Sequence, residues 1–252
     1  MARVITFINE KGGVGKTSAC LNTAWAITEK GKKILMIDVD GQKANLSFFA
    51  GVERSEGMLT LIDVLKNGVH LQEAAIPVKE NLWIVPANAA VADIGMDSKI
   101  SRFRSELKAV KDEYDYIFID VTPSPGWSHY LSLSVSDYAV VIMLPDIASL
   151  EGNSGILESI EEIQETTNTK LRIAGILFNR NNDRTNLGKQ VQEIAEQMAE
   201  SAETTIFFTK IPKAVSLSEC VAAHQGITEY DPGSRAAEAI EAFADELERR
   251  VN

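Results

Sequence analysis

The stretch Lys11-Gly12-Gly13-Val14-Gly15-Lys16-Thr17 decides the fold. Before it, Val4 to Ile8 is an apolar run of strand length, and after it Ala19 to Lys30 has a helical pattern. A glycine-rich turn between a strand and a helix is a phosphate cradle. Its successive backbone N–H groups point into the turn, and the helix N-terminus adds partial positive charge. Gly12, Gly13 and Gly15 allow close approach of backbone to phosphate. Lys16 is spaced to reach β- and γ-phosphates, and Thr17 to place a hydroxyl on Mg²⁺. The strict pattern G-x-x-x-x-G-K-[S/T] asks for Gly at position 10. Here Glu10 stands there, followed by a second lysine, Lys11.

Outward from the turn, Ile34 to Ile37 reads as a short buried strand ending in Asp38-Val39-Asp40. In a parallel sheet, ligands bind beyond the carboxyl ends of the strands, so both acids are expected at the edge that carries the cradle. One can hold a metal-bound water and the other can orient an attacking water. Tyr114 to Asp120 is a further apolar run that delivers a single carboxylate, Asp120, to the same edge. Asp137 to Pro145 and Leu171 to Phe178 read as two more buried strands, the second leading into Asn179-Arg180 and a polar loop. Leu82 to Pro86 and Thr204 to Phe208 read as strands, and Leu59 to Leu65 as a short helix ended by Asn67-Gly68. Lys99 to Lys111 reads as an amphipathic helix with Phe103, Leu107 and Val110 on one face. Strands alternating with helices imply an α/β fold: a mostly parallel twisted sheet with helices on both faces, in a single domain over 1–252.

The formal net charge of −11 argues against a globally basic nucleic-acid binder, so any DNA contact needs a local basic patch. Cys20 and Cys220 are too few and too far apart for a disulfide framework and read as packed thiols. His70, His129 and His224 have no ligand spacing, leaving nucleotide-bound Mg²⁺ as the expected metal. The N-terminus enters a strand with only Arg3 as charge before it, and no apolar run approaches a membrane span. The expectation is a cytoplasmic protein, nucleoid-associated if it binds DNA.

The form K-G-G-V-G-K-T resembles the deviant Walker A turn of the ParA/MinD family, and further segments extend the resemblance over nearly the whole chain. Asp38-Val39-Asp40-Gly41-Gln42-Lys43-Ala44-Asn45 is similar to the family's D-x-D-P-Q-G-N, with Gly41 for Pro and Lys43 for Gly. Asp120 to Gly126 is similar to D-x-P-P-S-x-G, Arg184 to Leu187 to R-T-N-L, and Lys210 to Glu219 to I-P-R-N-V-R-L-S-E. The resemblance implies an ATPase using ATP and Mg²⁺. Lys11 becomes a signature lysine that crosses a homodimer interface to the partner's ATP. Lys11, Lys16 and Asp40 are the implied catalytic residues. Residues 11–18 (Lys11, Gly12, Gly13, Val14, Gly15, Lys16, Thr17, Ser18) hold phosphate, and Asn179 meets the adenine edge. Ile211 and Pro212 wall the base, while Thr17, Asp38 and Asp120 form the metal shell. Arg184 and Lys213 fall at DNA-facing positions, but Ser216 and Ala214 replace a family Arg and Asn. Glu151 opens a helix at the place of a family glutamate near the dimer interface.

The function so implied is a ParA-type partition ATPase. It forms an ATP-bound sandwich dimer, binds DNA without reading sequence, and is stimulated by a centromere-binding partner of ParB type. Two relatives stay open beside it: a positioning ATPase for a non-DNA cargo, and a MinD-like membrane-associated ATPase. The last helix bears on the second. Its stripe Ile240, Phe243, Ala244, Leu247 and Val251 is opposed by Glu238, Glu241, Asp245, Glu246 and Glu248, whereas a membrane-surface helix needs Lys and Arg there. Packing onto the sheet, with no membrane contact, is the expectation.

Overall fold

Successive residues of a strand point to opposite faces, and the central strands of this chain are apolar in both directions. A sheet with those strands must be covered twice. The computed structural model describes residues 1–41, 45–53, 55–88, 97–181 and 186–252. In chain order its elements are β1 (Arg3–Ile8), α1 (Lys16–Thr28), β2 (Ile34–Asp38), α2 (Asn45–Phe49), α3 (Leu61–Lys66), β3 (Ile76–Lys79), β4 (Leu82–Val85), α4 (Asp97–Val110), β5 (Tyr116–Asp120), α5 (Trp127–Val135), β6 (Tyr138–Met143), α6 (Ile147–Thr166), β7 (Arg172–Phe178), α7 (Asn186–Ser201), α8 (Ser216–Ala222), α9 (Ile227–Tyr230) and α10 (Arg235–Val251).

The strands form one sheet in the order β3-β4-β2-β5-β1-β6-β7, parallel throughout except for β3 against β4. Ile5, Phe7, Tyr116 and Phe118 face a layer made by α1 and α10, and Val4, Ile8, Ile117 and Ile119 face α4, α5 and α6. Each such fully buried large side chain stabilises the fold by about 1.5–3 kcal/mol. The chain leaves β1 toward β2 on one side and later passes to β6 on the other. The strand order therefore reverses beside β1, which opens a crevice at the carboxyl ends. Register does the rest: Asp38 pairs with Asp120, and Asp120 with Phe7, so three strand ends meet at one level.

Several expectations need correction. The first helix begins at Lys16, three residues ahead of its apolar pattern, because its opening turn Lys16-Thr17-Ser18 is polar and carries no periodicity. The antiparallel edge strand β3 was not expected from the sequence. It is short, contains Pro77, and is joined to β4 through Asn81 in the left-handed region, features suited to an edge. Helix α6 opens at Ile147, with Asp146 as its cap, so Glu151 lies in its second turn.

Thr204 to Phe208 is not a strand. It runs parallel to β7 but touches it through one bridge, Ile176 to Ile206. Side chains of α10 take the backbone groups a ladder would use. The Arg250 guanidinium donates to the carbonyls of Ala174 and Ile206, both at 2.8 Å, and stacks 4.0 Å from the Phe207 ring centroid. Glu246 accepts from the N–H groups of Phe208 and Thr209, each at 2.9 Å, and from Arg250 at 2.8 Å.

The stripe of α10 is buried as expected, so its apolar face is spent on the sheet and on α1. Glu246 departs from the solvated acidic face, being only 8% exposed. Burial pushes its carboxyl up, but the hydrogen bonds from Thr209 and Phe208 and the Arg250 charge hold it below the ordinary value of 4.5. Glu246→Ala is expected to cost about 3 kcal/mol at neutral pH, since it removes the carboxylate partner of the half-buried Arg250 guanidinium and leaves the Phe208 and Thr209 N–H groups without their acceptor. A depressed carboxyl stabilises fully above its unfolded value and loses that contribution as pH falls through the folded one. The gap between wild type and variant in urea unfolding should therefore shrink below about pH 4.5. An undiminished gap at pH 3 would show that the charge contributes nothing. Among the described residues, no helix is long and apolar enough to cross a membrane.

Candidate functional site

The turn after β1 is held from three sides. Asn9, fully buried, donates to the Ile142 carbonyl at 2.6 Å and to Asn153 at 3.0 Å, and accepts from the Lys11 N–H. Asn179, at the end of β7, donates to the Val14 carbonyl at 2.7 Å. Gly15 caps α1 with φ 93°, and a Cβ there would lie 2.1 Å from the Asn179 amide nitrogen. Only glycine combines that dihedral with that contact. The backbone of the turn is thus fixed before any ligand arrives.

Lys16 is 5% exposed, its amine 3.4 Å from the Lys11 carbonyl oxygen. Burial lowers its pKa, and the neighbouring Asp120 and Asp40 oppose that shift. Asp120 is fully buried, and neither of its carboxylate oxygens has a hydrogen-bond partner. Burial first, and then the Asp38 charge, push it up to about 8. The Thr17 hydroxyl lies near enough to draw that value down without making a hydrogen bond of ordinary geometry. A buried, orphaned carboxylate beside a threonine hydroxyl is a hard oxygen donor set, which fits Mg²⁺.

Asp38 is placed beside Asp120 but is already committed. It accepts from the Asp40 N–H at 2.9 Å, the Ser47 N–H at 2.9 Å and the Ser47 hydroxyl at 2.7 Å. Burial raises it to about 6 against those bonds. Its evident work is to pin α2 and the backbone of Asp40. Asp40 itself is 4% exposed and lines the same cavity as Lys16.

That cavity, of about 890 Å³, has the phosphate turn (Gly12, Gly13, Gly15, Lys16, Thr17, Ser18) as one wall. Asn179 and Pro212 line another, and Phe48, Phe49 and Leu217 add apolar surface. Three of the residues expected to hold nucleotide, Lys11, Val14 and Ile211, do not line it. Val14 is buried in the core, and Ile211 is 2% exposed with its N–H and carbonyl taken by Phe178 and Asn181. Lys213 is exposed at the cavity's rim. Arg184 lies outside the described residues.

Lys11 does not point into its own cradle. Its amine pairs with Asp146 at 3.2 and 3.3 Å, and Asp146 also caps α6 by accepting from the Ser149 N–H at 2.8 Å. The Lys11 side chain remains 36% exposed.

Residues missed in the sequence complete the arrangement. Asn9, Ser47 and Asp146 belong to no chemical pattern: Asn9 holds the Ile142 carbonyl, Ser47 donates to the Asp38 carboxylate, and Asp146 pairs with the Lys11 amine. His129, set aside for want of ligand spacing, is 4% exposed, and its Nε2 lies 2.7 Å from the Thr122 carbonyl. Burial lowers its pKa to about 4, so the ring is neutral and donates N–H to that carbonyl, fixing the chain after Asp120. Both cysteines are free and buried, as expected.

A doubly covered parallel sheet with a glycine-rich turn, a buried lysine and convergent acids at its switch point defines a phosphate-loop nucleotide-binding protein. A family described as AAA domain matches residues 2–173. The sporulation initiation inhibitor protein Soj of Bacillus subtilis (strain 168) is 33% identical over 253 residues, covering 98% of each chain. The chromosome partitioning protein ParA of Myxococcus xanthus is 30% identical, covering 99% of this chain and 89% of its own. Among solved structures, the septum site-determining protein MinD of Pyrococcus horikoshii, complexed with Mg-ADP, is similar with a TM-score of 0.81. It is 25% identical, with 99% of this chain and 97% of that one covered. The chain belongs to the ParA/MinD family of ATPases.

Proposed function

We propose that this protein is a ParA-type ATPase in which two ATP-bound protomers form a sandwich, and that hydrolysis takes the sandwich apart. The observation that carries the reading is the contrast between the two lysines. Lys16 is buried in the cradle with Asp40 and Asp120, while Lys11 is turned outward to Asp146 at the rim. A triphosphate bound along residues 11–18 meets Lys16 from its own chain, and Lys11 is left to serve a facing copy.

In the reaction, water attacks the γ-phosphorus and the bond to the β,γ-bridging oxygen breaks. Asp40 orients that water and takes up its proton, while Lys16 and the partner copy's equivalent of Lys11 stabilise charge on the transferred group. Mg²⁺, when bound by Thr17 and Asp120, supplies neutralisation of phosphate charge. Asp38 acts one layer out: it holds the Asp40 backbone and, with Mg²⁺ bound, would accept from a water of the metal's shell. Asn179 and Pro212 bound the base. Ile211 contributes by setting the position of Pro212, since its own backbone groups are in use.

The dimer binds DNA through Lys213 and Arg184, and a ParB-type partner stimulates turnover. Co-sedimentation with DNA in ATP and in ADP tests this part. Binding should require ATP and fall steeply with salt, and Lys213→Ala should reduce the logarithmic salt slope by about 0.9 per protomer's phosphate contact. The second reading is a positioning ATPase for a non-DNA cargo. It is favoured by Ser216 and Ala214 where the family has Arg and Asn, and by the net charge of −11. DNA binding that is absent, or flat with salt, selects it.

A further inference from the structure

We propose that Arg180 is a further nucleotide-binding residue, its guanidinium stacked on one face of the bound base. The inference rests on the reading of Asn179 and Pro212 as the base end of the cavity. Arg180 follows Asn179 directly and lines the same cavity as the phosphate turn and Pro212. A parallel bridge joins Asn181 to Pro212, and the Asn181 N–H donates to the Ile211 carbonyl at 2.9 Å. That bridge seats Arg180 beside the Pro212 wall.

The backbone marks the position. Arg180 has φ 52°, in the left-handed region. Among the described residues, three others that are not glycine have positive φ: Asn81, Glu203 and His224. Asn81 turns from β3 into β4, and Glu203 and His224 follow the ends of α7 and α8, which are usual places for a left-handed residue. Arg180 instead leaves a parallel strand. A side chain in that region costs free energy, and residues held so cluster at ligand sites. Asn179 holds this one. Its Oδ1 accepts from the Arg180 N–H at 2.8 Å, while its Nδ2 donates to the Val14 carbonyl at 2.7 Å. One amide thus fixes both the phosphate turn and the direction in which the chain leaves β7.

The fold makes no use of the guanidinium. It is exposed, and among the described residues it has no hydrogen-bond or ion-pair partner. The phosphates already have Lys16 and the N–H groups of the turn. The base, beyond Asn179, has Pro212 for one face and needs cover for the other. A guanidinium is planar and weakly hydrated and stacks on aromatic faces, so it suits that surface.

The test titrates the full-length protein with Mg-ADP and with magnesium pyrophosphate, which lacks the base. Arg180→Gly is the variant to use, because glycine takes this φ without strain. It should unfold at the same urea concentration as wild type or a higher one, so that lost affinity is not lost fold. Its affinity for Mg-ADP should fall about fivefold to tenfold, with pyrophosphate affinity unchanged. Arg172→Ala, at the opposite end of β7, removes the same charge and should change neither affinity. In the wild-type Mg-ADP complex with isotope-labelled arginine, nuclear Overhauser contacts should join the Arg180 side chain to the adenine ring protons. Unchanged ADP affinity in Arg180→Gly, or absence of those contacts, overturns the proposal. An equal loss for both ligands also overturns it, by placing the guanidinium on phosphate. Wild-type protein that binds both ligands alike would remove the base site itself, a failure of the Asn179 and Pro212 reading and with it of this one.

Discussion

Lys16→Ala abolishes ATP binding: its affinity for Mg-ATP in a calorimetric titration is expected to fall by a factor of about a thousand or more, roughly 4 kcal/mol. The size follows from where the amine sits. Lys16 is 5% exposed inside a turn whose backbone is already fixed by Asn9 and Asn179, so its charge faces bound phosphate with little water between. A second effect comes with the first. Burial disfavours the Lys16 ammonium while Asp120 and Asp40 favour it, so the three groups compensate one another. Removing the lysine leaves two buried acids together, and the empty variant should melt lower than wild type. Circular dichroism at the titration temperature separates loss of binding from loss of fold. Lys16→Gln, which keeps the stem and removes the charge, should lose binding with less loss of stability. Tight ATP binding by a folded Lys16→Gln variant would contradict the phosphate-cradle reading.

The sheet and the edge that carries the site could be read from residues whose chemistry is local. Lys11 to Thr17 sits between a strand and a helix, and Asp38, Asp40 and Asp120 each end an apolar run. Parallel register then brings Asp38 beside Asp120, as the strand-end rule requires. What escaped reading depends on contacts between distant segments. Asn9 meets Asn153 across 144 positions and Asn179 meets Val14 across 165, and neither pairing has a periodic signature. Thr204 to Phe208 carries strand propensity, yet Arg250 and Glu246 take backbone groups that a ladder would use. Glu246 looked solvated because an acid on a polar helix face usually is, and only the position of α10 against that segment reveals its burial. Ile211 shows another contact that its sequence neighbours do not reveal. Its place beside Pro212 marked it as a ligand wall, but its backbone groups are used to join two segments of the fold.

Asp40→Ala is expected to separate binding from turnover. The Asp40 N–H is held by Asp38, and Asp38 is held in turn by Ser47, so the backbone at position 40 does not depend on the Asp40 carboxylate. The cradle is fixed by other residues altogether. Removing the carboxylate should therefore leave ATP binding intact, or strengthen it, because one negative charge near the triphosphate is gone. Hydrolysis should fall by about 10²–10⁴, the range for loss of a group that positions and deprotonates the attacking water. With the outlet blocked, the ATP-bound sandwich should accumulate, and light scattering should report twice the protomer mass in ATP and the protomer mass in ADP. Lys11 supplies the matching control. Its amine is engaged with Asp146 at 3.2 Å in the single protomer, so it must exchange that partner for phosphate when a second copy arrives. Lys11→Ala/Asp40→Ala should bind ATP and remain a protomer. Unchanged hydrolysis in Asp40→Ala would make the protein a nucleotide sensor rather than an ATPase of this kind. A dimer that survives loss of Lys11 would place its cohesion elsewhere on the surface, leaving the outward lysine without the role that distinguishes it from Lys16.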